Sequence, residues 1–386
     1  MSPGMRGWFV LWLADRPPAG GLTREEHATT SPVPSSRERL WTDRSATYDS
    51  DGHSSRKAFA RPPGRIPVSI YRVVRAVADA SGDEAVDWGA AAEAAKAATE
   101  PGSLDLTEAE RTGYADDVRE ARDRIREVTG VGFDLPDTVE VQHRHHWIDS
   151  NVETFRRVMR PLADTVGPLP GLTRSVNTGS MAVSLTFLAN NVLGQYDPLL
   201  LGEGADDHRL YFVHPNIGKV AATLSVDVER FRRWIAFHEV AHAAEFGAAP
   251  WLPGHLESDV EEAIEALKRG SLDREALGGL DTTMTAVEGY AELVMDRAFD
   301  GEYADLRAKL EARRRGRGPL TKLVRRLLGL GMKRQQYERG KRFFDAVADA
   351  RGLEGAAAVW ESPQTLPTSE EIDDPELWLR RVPTRR

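Results

Sequence analysis

Two histidines four residues apart, with a glutamate directly after the first, stand in "FHEVAHAAEFGAAPW" (237–251). On a helix, residues i and i+4 share one face roughly 6 Å apart, so His238 and His242 can each offer an imidazole to one ion. Glu239 then lies beside the first ligand, within reach of a water held by that ion. Zinc with three protein ligands keeps a position for water and lowers its pKa to about 7. A neighbouring carboxylate can take the water's proton during attack on a carbonyl and pass it to the leaving amine. His238 and His242 are therefore expected as Zn2+ ligands and Glu239 as the catalytic base. The competing reading is a buried helix with hydrogen-bonded histidines. The apolar flanks "FRRWIAF" and "AAEF" count against it, because unpartnered polar groups on a buried strip are costly.

The third ligand must come from elsewhere, and cysteine cannot supply it, because the chain has none. The best source is "VEGYAELVMD" (287–296). Met284, Val287, Ala291, Val294 and Ala298 form an apolar stripe, with Glu288 and Glu292 one turn apart beside it. Two carboxylates next to a buried stripe are unusual unless a cation faces them, the competing reading being a solvated acidic face. Glu288 is expected as the metal ligand and Glu292 as the acceptor that orients a ligand imidazole. Gly289 beside Glu288 implies a close approach at that point, with this helix packed on the histidine helix.

The elements that position these residues are mostly helical. "LTEAERTGYADDVREARDRIREVTG" reads as a helix over 106–129, with Thr107 as cap, Glu110 completing a capping box and Gly130 as the stop. "DTVEVQH" alternates as a short strand. "RLYFVHPN" is the best strand candidate, expected to end in a Pro-Asn turn and to offer an edge along which an extended peptide pairs. "WIDSNVETFRRVMRPLAD" reads as a helix capped by Asp149 or Ser150, and "MAVSLTFLANNVLG" as a buried helix. Helices are expected over 227–247, in "SDVEEAIEALKRG" and in "TTMTAVEGYAELVMDRAF". The C-terminal third is expected to be helical to about Gly352, then an extended tail. No internal repeat occurs.

The 386 residues, 41% hydrophobic, suffice for a substantial core, and no apolar run reaches the roughly 18 residues of a membrane-spanning helix. Absence of cysteine excludes disulfides and suits a reducing, cytoplasmic location. The net charge of −9 argues against nucleic acid as the main partner. Residues 1–67 carry ten Lys/Arg and seven Asp/Glu and are rich in Pro, Gly, Ser and Arg, so they are expected to be a disordered extension. Order is expected from Val68.

Other residues invite weaker readings. His143, His145 and His146 in "HRHHW" could mark a second metal site on a strand, but no acidic partner shares that face. His255 suits a loop or cap role. Tyr337 could donate to an oxyanion, although packing explains it as well. Residues 307–334 hold eleven Lys/Arg and one acidic residue, a pattern read here as a solvated basic face rather than a membrane or nucleic-acid surface.

Beyond the histidine pair, the chain resembles the zincin-like metallopeptidases of type 2, and one branch of these is associated with biosynthesis of the deazaflavin coenzyme factor 420. The resemblance runs in order through "HHWIDSNVETF", "VLGQYDPLL", "YFVHPNI", "FHEVAHAAEFGAAPWLPGHL", "VEGYAELVMD", "KRQQYERGKRFF" and "WESPQTLPTSEEIDDPELWLRRV". It implies a mainly α (α+β) zincin-like domain over 68–382, with its active-site core at about 190–300. It also implies His238, His242 and Glu288 as zinc ligands, Glu239 as base, and a zinc-dependent hydrolase acting on a peptide or other amide. Ala241 stands where the family often has threonine, and Tyr290 where it often has histidine. The alternative is a non-catalytic helical protein held by zinc, serving as an accessory factor in coenzyme biosynthesis.

Overall fold

Thr107 starts the first long helix as its sequence demands. Its hydroxyl accepts from the Glu110 N–H while the Glu110 carboxylate accepts from the Thr107 N–H, and Gly130 ends the helix in the left-handed region at φ 69°. The structure, a computed structural model, describes residues 84–136, 138–163, 170–197, 209–268, 278–299, 303–315 and 333–383, with Arg75, Val77, Ala80 and Ser81 before them. The expectation for residues 1–67 lies outside the described residues, and so does most of the basic stretch, at 316–332.

In chain order the described elements begin with α1 (Trp88–Ala97), α2 (Glu108–Thr129), β1 (Thr138–Gln142), α3 (Arg144–Ala163), α4 (Pro170–Ala189), β2 (Gly194–Asp197) and β3 (Arg209–Val213). They continue with α5 (His214–Leu224), α6 (Val228–Ala248), α7 (Leu252–Lys268), α8 (Gly278–Phe299) and α9 (Ala304–Arg315). The last are α10 (Lys333–Ala357), α11 (Ser369–Asp373) and α12 (Pro375–Arg381). This is the mainly helical fold with a small β element that the sequence implied.

The three strands form one sheet in the order β1-β3-β2. β3 runs parallel to β1, with Val141 opposite Phe212, and antiparallel to β2, with Tyr196 opposite Leu210. The expected edge at "RLYFVHPN" is therefore corrected: β3 is the central strand, and its backbone groups are used on both sides. The expected Pro-Asn turn is instead the start of α5, where Pro215 sits in the first turn and needs no N–H partner. Of β2, only Gly194 falls within the segment expected as a buried helix.

Two helices run through the main core. In α6 every residue from Trp234 to Phe246 is buried, and in α8 every residue from Thr283 to Met295. A helix buried on all sides has no polar face to show, and its few charged residues must be satisfied by one another. Asp227 caps α6 by accepting from the Arg230 N–H at 2.8 Å. Phe237 meets the Phe299 ring at 4.4 Å, which ties α6 to the end of α8.

Gly289 does mark a close approach, but toward α10. A Cβ on Gly289 would lie 2.5 Å from the Gly340 carbonyl carbon, and one on Gly340 would lie 2.3 Å from the Thr285 oxygen. The two glycines let α8 and α10 cross at backbone contact. A second apolar cluster joins α1, α3 and α4 around Trp147, Phe155, Met181 and Leu185.

Two boundaries differ from the sequence reading. α3 begins at Arg144, several residues before the expected caps, with the His143 Nδ1 accepting from the His146 N–H at 3.1 Å. The C-terminal segment is also not an extended tail. Helix continues past a bend at Gly352, and α11 and α12 fold back, held by the Trp378 Nε1–H on the Thr365 carbonyl (2.7 Å) and by Arg381 on Glu371 (2.5 Å).

Candidate metal centre

His238 and His242 lie one turn apart on α6, and both are buried. Their rings meet edge to face, with the two Nε2 atoms 3.1 Å apart. The Trp234 indole, one turn earlier, stacks beside His238 at 6.2 Å and 10°. Across from them, α8 delivers Glu288, whose Oε2 is 3.9 Å from each Nε2. Among the described residues, these three form the group of His, Asp or Glu side chains able to hold a metal ion.

The geometry fits a zinc-type ion. A point equidistant from the three donor atoms in their plane lies about 2.1 Å from each, the length of zinc–nitrogen and zinc–oxygen bonds. The chemistry of the donors fits as well. Two imidazoles and a carboxylate, with no sulfur, suit zinc and leave a coordination position open.

Glu245, one turn beyond His242, places Oε2 2.8 Å from the His242 Nδ1 and is fully buried. This carboxylate fixes the proton on Nδ1 and turns Nε2 toward the centre, the arrangement that orients and strengthens a ligand histidine. Burial pulls the His242 pKa down, but the charge and hydrogen bond of Glu245, helped by Glu288 and Glu239, outweigh it and push the pKa up to about 9. Burial in turn raises Glu245 to about 7.

The role expected of Glu292 therefore falls to Glu245. Glu292 is drawn away to Arg307, 3.3 Å distant, where Arg307 also meets Asp296. Sequence reasoning missed Glu245, although a signal existed: in "HAAE" a glutamate follows the second histidine by three residues, so it must lie over the same face.

Glu239, 100° around α6 from His238, lies between the ligand face and β2. Its Oε2 accepts from the Tyr196 N–H at 3.0 Å. Gly194 is required here, because a Cβ at that position would lie 2.6 Å from the Glu239 Cγ. Burial raises the Glu239 pKa to about 7; His242 and the Tyr196 amide oppose the rise, and Glu288 adds to it. A carboxylate tuned to that range suits proton transfer near neutral pH.

The remaining candidates lie elsewhere. His143, just before α3, stacks on His146 in its first turn at 3.8 Å, and the His145 Nε2 is 2.7 Å from the Thr99 carbonyl, so "HRHHW" does not present one strand face. His255 lies in the first turn of α7, 3.8 Å from Asp259, which accepts from the Thr283 hydroxyl. Tyr290 is core, edge-on to Phe344 and Trp360. The Tyr337 side chain lies outside the described residues. No described helix is long and apolar enough to cross a membrane.

No curated protein matches the chain. A crystal structure from Chloroflexus aurantiacus, of a protein proposed to be a hydrolase and described as having a novel fold, is similar at a TM-score of 0.64. It is 32% identical, over 77% of this chain and 98% of the other. The profile of the zincin-like metallopeptidases matches residues 86–273 and 266–379, a span that takes in the histidine helix, the Glu288 helix, β2 and the folded-back C-terminal helices. With nearly the whole described chain matched, this protein belongs to the zincin-like metallopeptidase family.

Proposed function

We propose that the protein is a zinc-dependent hydrolase of amide bonds, acting as a peptidase, with His238, His242 and Glu288 as metal ligands and Glu239 as general base. The observation that carries this is the buried triangle of two Nε2 atoms and one carboxylate oxygen, with a second carboxylate of raised pKa on the adjacent residue of the same helix. When bound, the metal activates a water and polarises the substrate carbonyl.

The chain's own residues do the rest. Glu245 keeps the proton of His242 on Nδ1, so Nε2 presents a lone pair. Glu239 takes a proton at a carboxylate oxygen and returns it to the departing amine, which converts a poor leaving group into a neutral one. Burial of all these groups limits competing protonation by bulk water. An extended substrate is assigned to the edge at β2, because that strand borders Glu239.

A purely structural zinc takes four protein ligands. The described residues group three, which favours the catalytic reading over an accessory protein held by zinc. On the motif resemblance we also place the chain in the branch associated with the deazaflavin coenzyme, and the coenzyme content of a deletion strain tests that placement.

The central test compares the native chain with Glu239→Gln by metal analysis and cleavage of a peptide library. The variant should bind zinc at the native stoichiometry and lose at least about 100-fold in rate. Full activity in Glu239→Gln on a verified substrate would falsify the mechanism.

A further inference from the structure

β2 is only four residues long, yet both of its faces are engaged. On one face, the Gln195 side chain enters a closed ring of hydrogen bonds with α3. The Trp147 indole N–H donates to Gln195 Oε1 at 2.7 Å, Gln195 Nε2–H to Asn151 Oδ1 at 2.8 Å, and Asn151 Nδ2–H back to the Trp147 carbonyl at 2.9 Å. All three residues are buried. Strand alternation sends Gly194 and Tyr196 to the opposite face, against α6. There the Tyr196 ring packs on Phe246 at 5.4 Å, and the missing side chain of Gly194 leaves the space that Glu239 fills.

We propose that Gln195 is a positioning residue for Glu239: by anchoring β2 to Trp147 and Asn151, it sets the register and distance at which the Tyr196 N–H and Gly194 hold the Glu239 carboxylate. The proposal rests on the reading of Glu239 as general base. A shift of β2 by one residue would exchange its faces, driving the Gln195 side chain at Glu239 and turning Gly194 toward α3. The polar ring opposes that shift, because the buried indole N–H and the Asn151 Oδ1 keep these partners only when Gln195 faces them. An apolar residue at 195 would fill the space without specifying the register. This also gives "HHWIDSN" and "VLGQYD" a joint role: they meet on the far side of β2 from the metal ligands and act on the site through one strand.

The test is a backbone measurement that needs neither metal nor substrate. Selective 15N-tyrosine labelling limits the spectrum to the amides of eight tyrosines, and Tyr196→Phe identifies the Tyr196 signal. A hydrogen bond to a carboxylate moves an amide proton downfield, so Glu239→Ala should shift the Tyr196 proton upfield. Gln195→Met keeps the length of the side chain and removes its polar atoms. It should shift the same signal in the same direction. Trp147→Phe, which removes the indole N–H and keeps an aromatic ring, should do so to a smaller extent and guards against a Gln195 variant that does not fold.

In the zinc-loaded protein, Gln195→Met should lower kcat on the order of 10- to 100-fold, as expected for a misplaced catalytic group, with bound zinc unchanged. A folded Gln195→Met or Trp147→Phe protein with an unmoved Tyr196 amide overturns the proposal, as does an unchanged kcat. If the native protein hydrolyses no amide, the proposed function fails, and the amide shift alone decides the positioning.

Discussion

Replacing Glu245 with glutamine should change how the metal site depends on pH more than it changes its affinity at neutrality. In the metal-free protein, the buried Glu245 carboxylate is the main influence raising His242 to about 9. A metal must displace the proton this pair holds. Between about pH 7 and pH 9 the apparent zinc affinity should therefore climb tenfold per pH unit, with one proton released per ion. At pH 7 the competition amounts to about 100-fold.

Glutamine keeps an oxygen for the Nδ1–H but not the charge. Burial, which lowers the His242 pKa, then prevails. The variant should show little proton competition above neutrality, while losing the basicity that the carboxylate lends to the imidazole, worth about 10- to 100-fold in affinity. At pH 7 the two effects oppose each other and nearly cancel. At pH 9, where competition has ended in both proteins, Glu245→Gln should bind about 10- to 100-fold more weakly. Chelator competition titrations from pH 6.5 to 9.5 measure the slopes, and calorimetry in two buffers of different ionisation enthalpy counts the protons. A native affinity that is flat between pH 7 and 9, or parallel slopes for the two proteins, would refute the reasoning.

The other predictions concern the elements that bring the ligands together. Glu288→Ala should abolish stoichiometric zinc binding, whereas Glu292→Ala, whose partner Arg307 keeps Asp296, should leave zinc content unchanged by metal analysis. Gly340→Ala sets a methyl 2.3 Å from the Thr285 oxygen, so α10 must withdraw from α8. Overpacking of this kind costs about 1–3 kcal/mol, visible as a melting temperature lower by several degrees, and an unchanged melting curve would rule out the backbone contact. Asp227→Ala removes the cap of the histidine helix and should cost about 1 kcal/mol in a denaturant titration, with the zinc site intact.

The parts of the site that could be read from the sequence are those whose spacing is local. His238, Glu239 and His242 are fixed relative to one another by 100° per residue, and nothing outside α6 alters that. The Thr107–Glu110 capping box and the Gly130 stop are local in the same sense, and both stand in the structure as read. Glu288 was reachable because a carboxylate inside an apolar stripe needs a partner. The orienting carboxylate was misassigned for a related reason. Glu292 and Glu245 both follow a candidate ligand within one helical turn, and periodicity alone does not say which of them faces an arginine. Arg307 comes from α9, outside both helices, and it settles the matter by drawing Glu292 away.

β2 shows why the rest stayed hidden. "NNVLGQYDP" holds a glycine and ends in proline, and its four strand residues carry no apolar alternation, because Gly194 is empty for the sake of Glu239 and Gln195 is polar for the sake of Trp147. Each residue is chosen by a neighbour more than forty positions away in sequence, so local propensity is silent where tertiary demand is strongest. The same consideration explains why "RLYFV" looked like the functional edge. It has the β-branched and aromatic content of a good strand because it is the central one, packed on both faces and paired on both sides. A strand that borders a buried carboxylate must instead leave room for it, and the residue that leaves room is the one that makes the strand hard to see.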